Sequence, residues 1–397
     1  MGKRYLIAGA GLGGLAAGLA LLRQGIDVEL YEQAADIAEF GAGIQVSPNC
    51  TRVLHALGLE AALVHIGTEV PTRDTRLWNS GRTWPQMRLG ASAVERYGFR
   101  HYTVHRADLQ AVLLDAVCRL KPDAVHVGAR VVGFRQTGHG VRLELEDGTT
   151  AQGDALIGAD GIHSLLRNRL FGEDRPGFTG CVAWRGIAPA DRLPDVLRGR
   201  VSQWIAPTAH LIHYPIRQGR LVNMIGVLER ADWQVESWSM RGSHEECLAD
   251  FAGWHEDARA LMQAVEVPFK WALMAREPLQ RWALGRVALL GDACHPALPY
   301  LAQGAAMAIE DAFMLARCAA AHDDPVQTLK AYEGLRVPRT TRMVHATLDN
   351  LRQMHTPALA DPESAARHVE RLNSPEAMRG KYDWLYGYDA VGCPLAA

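Results

Sequence analysis

Residues 3–17 read Lys3-Arg4-Tyr5-Leu6-Ile7-Ala8-Gly9-Ala10-Gly11-Leu12-Gly13-Gly14-Leu15-Ala16-Ala17. The apolar run from Tyr5 to Ala8 reads as a buried parallel strand. Gly9, Gly11 and Gly14 then give G-x-G-x-x-G, followed by small residues at helical spacing (Ala16, Ala17, Gly18, Ala20). A second strand, Ile26 to Tyr31, ends on Glu32, 18 residues after Gly14. Gly9 allows the tight turn out of the strand, Gly11 lets a pyrophosphate approach the backbone, and Gly14 lets helix and strand pack closely. The free N–H groups at the helix start suit phosphate oxygens. A carboxylate at Glu32 suits the hydroxyls of an adenosine ribose and disfavours a 2′-phosphate. These features together bind the ADP half of a dinucleotide. They do not decide between NAD and FAD.

The rest of the composition narrows the class. A chain of 397 residues is long for one core, so two lobes are expected. Hydrophobic content of 48% and charged content of 22% are those of an ordinary globular protein. A net charge of −2 gives no electrostatic case for nucleic acid or an anionic membrane. There is no apolar run long enough to span a bilayer and no signal peptide, which predicts a cytoplasmic protein. Seven scattered cysteines without C-x-x-C fit reduced thiols in the cytoplasm rather than a disulfide frame or a zinc site. Sixteen histidines without H-E-x-x-H or similar spacing argue against a metal.

Further along, Phe40-Gly41-Ala42-Gly43-Ile44-Gln45 is dense in glycine, either a plain loop or backbone passing close to a flat ligand. Residues 50–66 have helical periodicity, and 70–105 read as strands and loops of a different lobe. His105-Arg106-Ala107-Asp108-Leu109 enters another helix, where Arg106 is either a ligand contact or a surface arginine. Short strands are expected at Ala124 to Val127, Val131 to Phe134 and Val141 to Leu145. A buried strand then runs into Gly158-Ala159-Asp160-Gly161, followed by a helix carrying Ser164 and Arg167. Residues 177–275 alternate as an antiparallel sheet. At Gly285 the chain returns to the first lobe, with a strand ending on Gly291-Asp292 and a glycine-rich segment at Gln303-Gly304 opening a long helix. Residues 325–355 look helical, and the aromatic tail around Tyr382 to Tyr388 is expected to pack back on the body.

Three motifs now stand in order: Gly9-x-Gly11-x-x-Gly14, Gly158-Ala159-Asp160-Gly161 with Arg167, and Gly291-Asp292 with His295-Pro296. Together they resemble the single-component FAD-dependent aromatic hydroxylases, the group A flavoprotein monooxygenases. Within that family the chain looks most like the branch of 3-hydroxybenzoate 6-hydroxylase and salicylate 1-hydroxylase. The resemblance implies an α/β fold. A discontinuous Rossmann-like FAD-binding domain (1–70, 101–176 and 276–325) would carry an inserted, mainly antiparallel substrate domain (71–100 and 177–275) and a helical C-terminal region (326–397).

It also implies roles. The cofactor-binding set would be Gly9, Gly11, Gly14, Glu32, Gln45, Arg106, Asp160, Asp292, Pro296 and Gly304, with FAD bound and no metal. NADH or NADPH would bind transiently as co-substrate, and O₂ and a small aromatic would be the other partners of a monomer or homodimer. The reaction would hydroxylate a small hydroxylated aromatic acid through a flavin C4a-hydroperoxide. Decarboxylative hydroxylation of salicylate, an N-heteroaromatic acid as substrate, or oxidase chemistry without oxygen insertion are the alternatives. The branch places H-x-x-x-Y-P where this chain has His210 and Tyr214, so His210 is expected to be the base for a substrate phenol and Tyr214 to orient the ring. His213 faces the other side of the same strand and would take over at a bulge. Arg185 and Arg217 are candidates for the substrate carboxylate, or else structural. His295, Trp184 and Trp204 read as structural. Gln45 stands where nicotinate-type relatives carry histidine, and Pro299 where some 3-hydroxybenzoate relatives carry a polar residue.

Overall fold

The structure is a computed structural model that describes residues 2–37, 42–230, 232 and 240–395. Phe40 and Gly41 of the glycine-dense stretch lie outside the described residues.

The opening strand is Arg4–Ala8 and it sits inside a six-stranded sheet. Its parallel neighbours are Asp27–Tyr31 on one side and Ala155–Gly158 on the other. Val287–Leu289 then pairs in parallel with Ala155–Gly158, so a strand made nearly 300 residues later lies two positions away from the first, with one strand between. In register, Ala8 faces Tyr31 and Gly158, and Gly158 faces Leu289. The three motif loops therefore leave the same edge of the sheet, at the carboxyl ends of its strands, which is where open α/β sheets bind ligands. Helix Leu12–Arg23 lies against helix Gly304–Ala321 under that edge.

A seven-stranded sheet forms the second layer. Its order is Phe269–Ala275, Gly177–Pro189, Leu221–Glu229, Ala209–Ile216, Val201–Ile205, Thr72–Leu77 and Thr83–Arg88. All pairs are antiparallel except Val201–Ile205 with Thr72–Leu77. Alternation gives each face its own core. Val182, Trp184, Trp204 and Met224 pack under helices His244–Asp250 and Glu256–Ala264. Ala183, Val227, Trp271 and Leu273 on the other face meet Leu298, Tyr300, Met354 and Leu359. Trp184 and Trp204 are thus packing residues of the far face, away from the glycine motifs.

The structure departs from sequence expectation in three places. Residues 50–66 are two helices, Pro48–Ala56 and Glu60–Ile66, because Gly58 turns the chain at φ +70°. Within 70–105 a short helix, Ala91–Tyr97, interrupts the strands, and Tyr102–His105 leaves the large sheet to pair with Gly43–Val46. The helices at 244–250 and 256–264 were hidden in a stretch that alternates mainly as strand. The C-terminal part is helical as expected, with Pro325–Met354, Pro362–Leu372 and Pro375–Tyr386, and Tyr382 and Tyr386 are buried against the body.

Candidate active site

The three motif loops wall a continuous cleft. Its outer chamber, about 660 Å³, is lined by Gly9, Gly11, Glu32, Asp160 and Gly161. A middle chamber of about 290 Å³ shares Gly11, Ala159 and Gly161 with it and adds Gln45, Arg106, Tyr214, Asp292 and Gly304. A third, of about 430 Å³, shares Arg106, Asp292 and Pro299 with the middle one and opens against the large sheet at Arg185, Trp271 and Leu273.

The glycines are needed for stated reasons. Gly9 has φ +101°, and a Cβ there would lie 2.4 Å from the Ala159 carbonyl oxygen. A Cβ on Gly14 would lie 2.0 Å from the Gly9 carbonyl oxygen, so helix and turn touch only because it is absent. At Gly11 a Cβ would meet no protein atom within 4 Å, since that position faces the open cleft. Neither helix N-terminus on the cleft, at Gly11 or at Gln303, has a side-chain cap, so both present unsatisfied N–H groups to it.

The acids divide. Glu32 accepts from the backbone N–H groups of Ala10 (2.8 Å) and Ala34 (2.9 Å) while lining the outer chamber, and a carboxylate has lone pairs left for a ligand hydroxyl. Asp160 is turned inward. It accepts from the Ser164 hydroxyl (2.6 Å) and the Leu166 N–H (3.1 Å), shaping the start of helix Leu165–Phe171. Burial raises its pKa, and those hydrogen bonds oppose the rise. Asp292 is exposed and lines both the middle and the third chamber. Desolvation by the surrounding walls pushes its carboxyl up, opposed by His295 and Arg106, and no described residue donates a hydrogen bond to it. Pro296 lines the third chamber, and Arg106 opens helix Arg106–Leu120 with its N–H on the Ala42 carbonyl.

Behind these loops is a buried charge network that the sequence did not reveal. Asp311 accepts from Arg336 (2.7 Å), His295 (2.5 Å) and the Gly291 N–H (3.2 Å), which ties the Gly291-Asp292 turn to two helices. Burial works against the Asp311 charge, but His295 and Arg336 outweigh it and hold its pKa low. Glu310 binds Arg336, Arg339 and Asn49, and Asn49 reaches Gln303 at the helix start. His295 is therefore structural, as the sequence reading has it. Cys294, His295 and Asp311 bring potential ligand atoms within 4.8 Å of one another, but Arg336 already occupies the place of a cation on Asp311.

Strand Ala209–Ile216 carries the other candidates. Tyr214 lines the middle chamber, and a Cβ on Gly43 would lie 2.6 Å from its ring. His210 points to the same face but lines neither the middle nor the third chamber. It lies opposite Val227, two residue pairs beyond Ile212 and the chamber-lining Ile225, with Tyr300 edge-on at 5.5 Å. Its Nδ1 is 2.7 Å from His355 Nε2, and His355 Nδ1 is 3.0 Å from Glu229. Burial, then His355, holds the His210 pKa well below the usual value. His213 is buried on the opposite face, and burial brings its pKa to about 3. Neither His355 nor Glu229 was legible as a partner, because they sit 145 and 19 residues from His210.

The two arginine candidates also divide. Arg217 makes a bidentate ion pair with Asp108 (3.0 and 2.8 Å), which fits the structural one of its two readings. Arg185 lines the third chamber over the Trp271 ring, 5.2 Å away.

The cleft fits an extended dinucleotide carrying a flat ring. Gly11 leaves room for a pyrophosphate, two uncapped helix ends offer N–H donors, and Asp292 offers an acceptor without a donor. Comparison with known proteins agrees. Residues 4–347 match the family described as FAD binding domain. The chain is 40% identical to the 3-amino-4-hydroxybenzoate 2-monooxygenase PtnB3 of Streptomyces platensis, over 98% of this chain and 96% of that one. It is 35% identical to the 3-hydroxybenzoate 6-hydroxylase of Klebsiella oxytoca, over 98% of each. Among solved structures, Klebsiella pneumoniae HpxO complexed with FAD and uric acid superposes with a TM-score of 0.84 at 27% identity, covering 96% of both chains.

Proposed function

The chain belongs to the FAD binding domain family and is an FAD-dependent aromatic monooxygenase, and from that premise we propose that it hydroxylates a small hydroxylated benzoate, with or without a ring amine. The observation that carries the substrate class is the third chamber. It joins the middle chamber, where Tyr214 and Gln45 lie, is walled by Trp271, Leu273 and Ile225, and together with that junction has room for one ring. The relatives that act on 3-amino-4-hydroxybenzoate and 3-hydroxybenzoate support the same class.

FAD, when bound, takes electrons from NAD(P)H and activates O₂ for transfer of one oxygen atom to an electron-rich ring. The chain's residues do the rest. The Gly9–Gly14 loop and Glu32 hold the ADP half, Asp292 accepts from hydroxyls further in, and the Gly304 helix end offers N–H groups and a positive dipole end to negative charge. Tyr214, kept protonated by burial, orients the substrate. His210 is the base assigned to the phenolic proton whose loss makes the ring electron-rich, and since it stands on no chamber wall the substrate must reach past Ile225 to meet it.

The hydrogen-bond chain behind His210 determines which nitrogen is free. The Glu229 carboxylate only accepts, so His355 Nδ1 carries a proton towards it. Neutral His355 then presents a bare Nε2, and His210 Nδ1 must donate to it. His210 Nε2 is left as the lone pair, the tautomer a base requires. A proton taken at Nε2 leaves from Nδ1 to His355 and on to the half-exposed Glu229.

Anaerobic flavin reduction by NADH and by NADPH, with salicylate, 3- and 4-hydroxybenzoate, 3-amino-4-hydroxybenzoate and 6-hydroxynicotinate in turn, tests the reading. One acid accelerating reduction by orders of magnitude is expected, and mass spectrometry of the aerobic product gives the position hydroxylated and any loss of carboxylate. No acceleration by any of them would withdraw the substrate class. No described helix is long and apolar enough to cross a membrane. A cytoplasmic monomer or homodimer completes the reading, to be checked by fractionation and by sedimentation.

A further inference from the structure

A buried arginine behind the middle chamber has no described carboxylate of its own. Arg73, on strand Thr72–Leu77, is 8% exposed. Its Nη1 donates to the Tyr382 hydroxyl (2.9 Å) and its Nη2 to Gln45 Oε1, while its Nε has no partner. No described carboxylate faces it. Its neighbours are the phenols of Tyr382 and Tyr386 and the imidazole of His101, which burial and then Arg73 itself bring to a pKa of about 3. Three of the other buried arginines differ. Arg76, Arg167 and Arg336 each reach a carboxylate, at 3.9, 2.6 and 2.7 Å. An unpaired buried cation is costly, and it is retained where an anion joins it.

Gln45 connects that charge to the chamber. A guanidinium has donors and no acceptor, so the Gln45 amide must turn its oxygen to Arg73. Its NH₂ is then left on the side of the chamber that Gln45 lines. Gln45 Nε2 has no described partner and is not among the polar atoms sealed from solvent, so it is reachable from the chamber.

We propose that Gln45 and Arg73 form the anion-recognising end of the substrate site: Gln45 Nε2 donates to the carboxylate of the aromatic acid, and Arg73 positions the amide and supplies the positive charge. A neutral flavin carbonyl would need the amide but not a full buried charge behind it. The inference rests on the proposed function and names what selects its substrate class.

The test uses purified holoenzyme and reads binding by perturbation of the flavin spectrum, with 3-hydroxybenzoate and 3-hydroxybenzamide as probes. The wild type is expected to prefer the acid at least about tenfold. Gln45→Glu is isosteric, pairs with Arg73 and puts a negative oxygen on the chamber. It should weaken the acid about 100-fold or more and the amide only slightly, because like charges in a dry site cost several kilocalories. The thermal midpoint should hold or rise, since the missing ion pair is now internal, and a merely structural role would not reverse selectivity in a protein that has not been destabilised. Arg73→Met should abolish the preference and Arg73→Lys restore part of it. An unchanged acid-to-amide ratio in Gln45→Glu overturns the inference, as does a loss of FAD in place of selectivity, which would turn Gln45 towards the cofactor. A wild type that binds acid and amide alike overturns it even if both are hydroxylated. A wild type whose flavin reduction no aromatic accelerates overturns the proposed function instead.

Discussion

Mild acidification should destabilise this protein, and two histidines should account for a measurable share. His101 and His213 are 2% and 0% exposed, and neither ring nitrogen of either one has a partner. Burial brings both to a pKa of about 3, with nearby arginines as the second cause. In the unfolded chain they bind a proton at about 6.5. Between those values the unfolded state holds more protons, so stability is complete above about pH 6.5 and falls as the pH drops towards 3. From pH 7.5 to 5.5 each histidine contributes a loss of about 1.4 kcal/mol, or about 2.7 kcal/mol for the pair, against a total stability of roughly 5–15 kcal/mol. The assay is urea unfolding at fixed excess FAD, at pH 7.5, 6.5 and 5.5, for wild type and for the double variant His101→Leu/His213→Leu. The variant should lose about 2.7 kcal/mol less than wild type over that interval. At pH 7.5 it should be no less stable, because it removes two buried polar rings that have no partners. Equal pH dependence in the two proteins, within about 0.5 kcal/mol, would refute the reasoning.

Three further outcomes follow from the site. His210→Ala should cut product formed per NADH consumed and raise peroxide, with FAD content unchanged; full coupling at every pH would remove His210 from the chemistry. Glu32→Ala should weaken FAD retention about tenfold or more, as a charged acceptor is lost, and equilibrium dialysis of the flavin measures it. Arg336→Met removes the buried cation that Asp311 and Glu310 share, leaving them His295 and Arg339, and should cost about 3–5 kcal/mol, read as a lower thermal midpoint together with a loosened flavin.

The strands, the glycine turns and the return of the chain at Gly285 were legible because each rests on local signals: period, glycine position, an acid at a strand end. Tyr214 and Asp292 could be named as candidates through the family motifs in which they stand. His355, Glu229, Arg73 and Arg336 could not. Their importance lies in what they touch, and those partners come from other elements: His355 ends a helix and meets a strand residue 145 positions earlier. The two helices at 244–264 were missed because their segment sits between strands of a sheet whose alternation dominates the window. Arg217 looked available because nothing in its neighbourhood announces Asp108, 109 residues before it.

The placement of Val287–Leu289 beside Ala155–Gly158 has a consequence for how the protein comes into being. One wall of the cleft is complete once residue 32 is made, but the opposite wall, Asp292 and the helix at Gly304, is the product of the last third of the chain. At about 5–20 residues per second, roughly 15–60 seconds of synthesis separate them. Through that interval the glycine loop has nothing to close against. A two-walled cleft for FAD therefore exists only after the helix Gly304–Ala321 has been made.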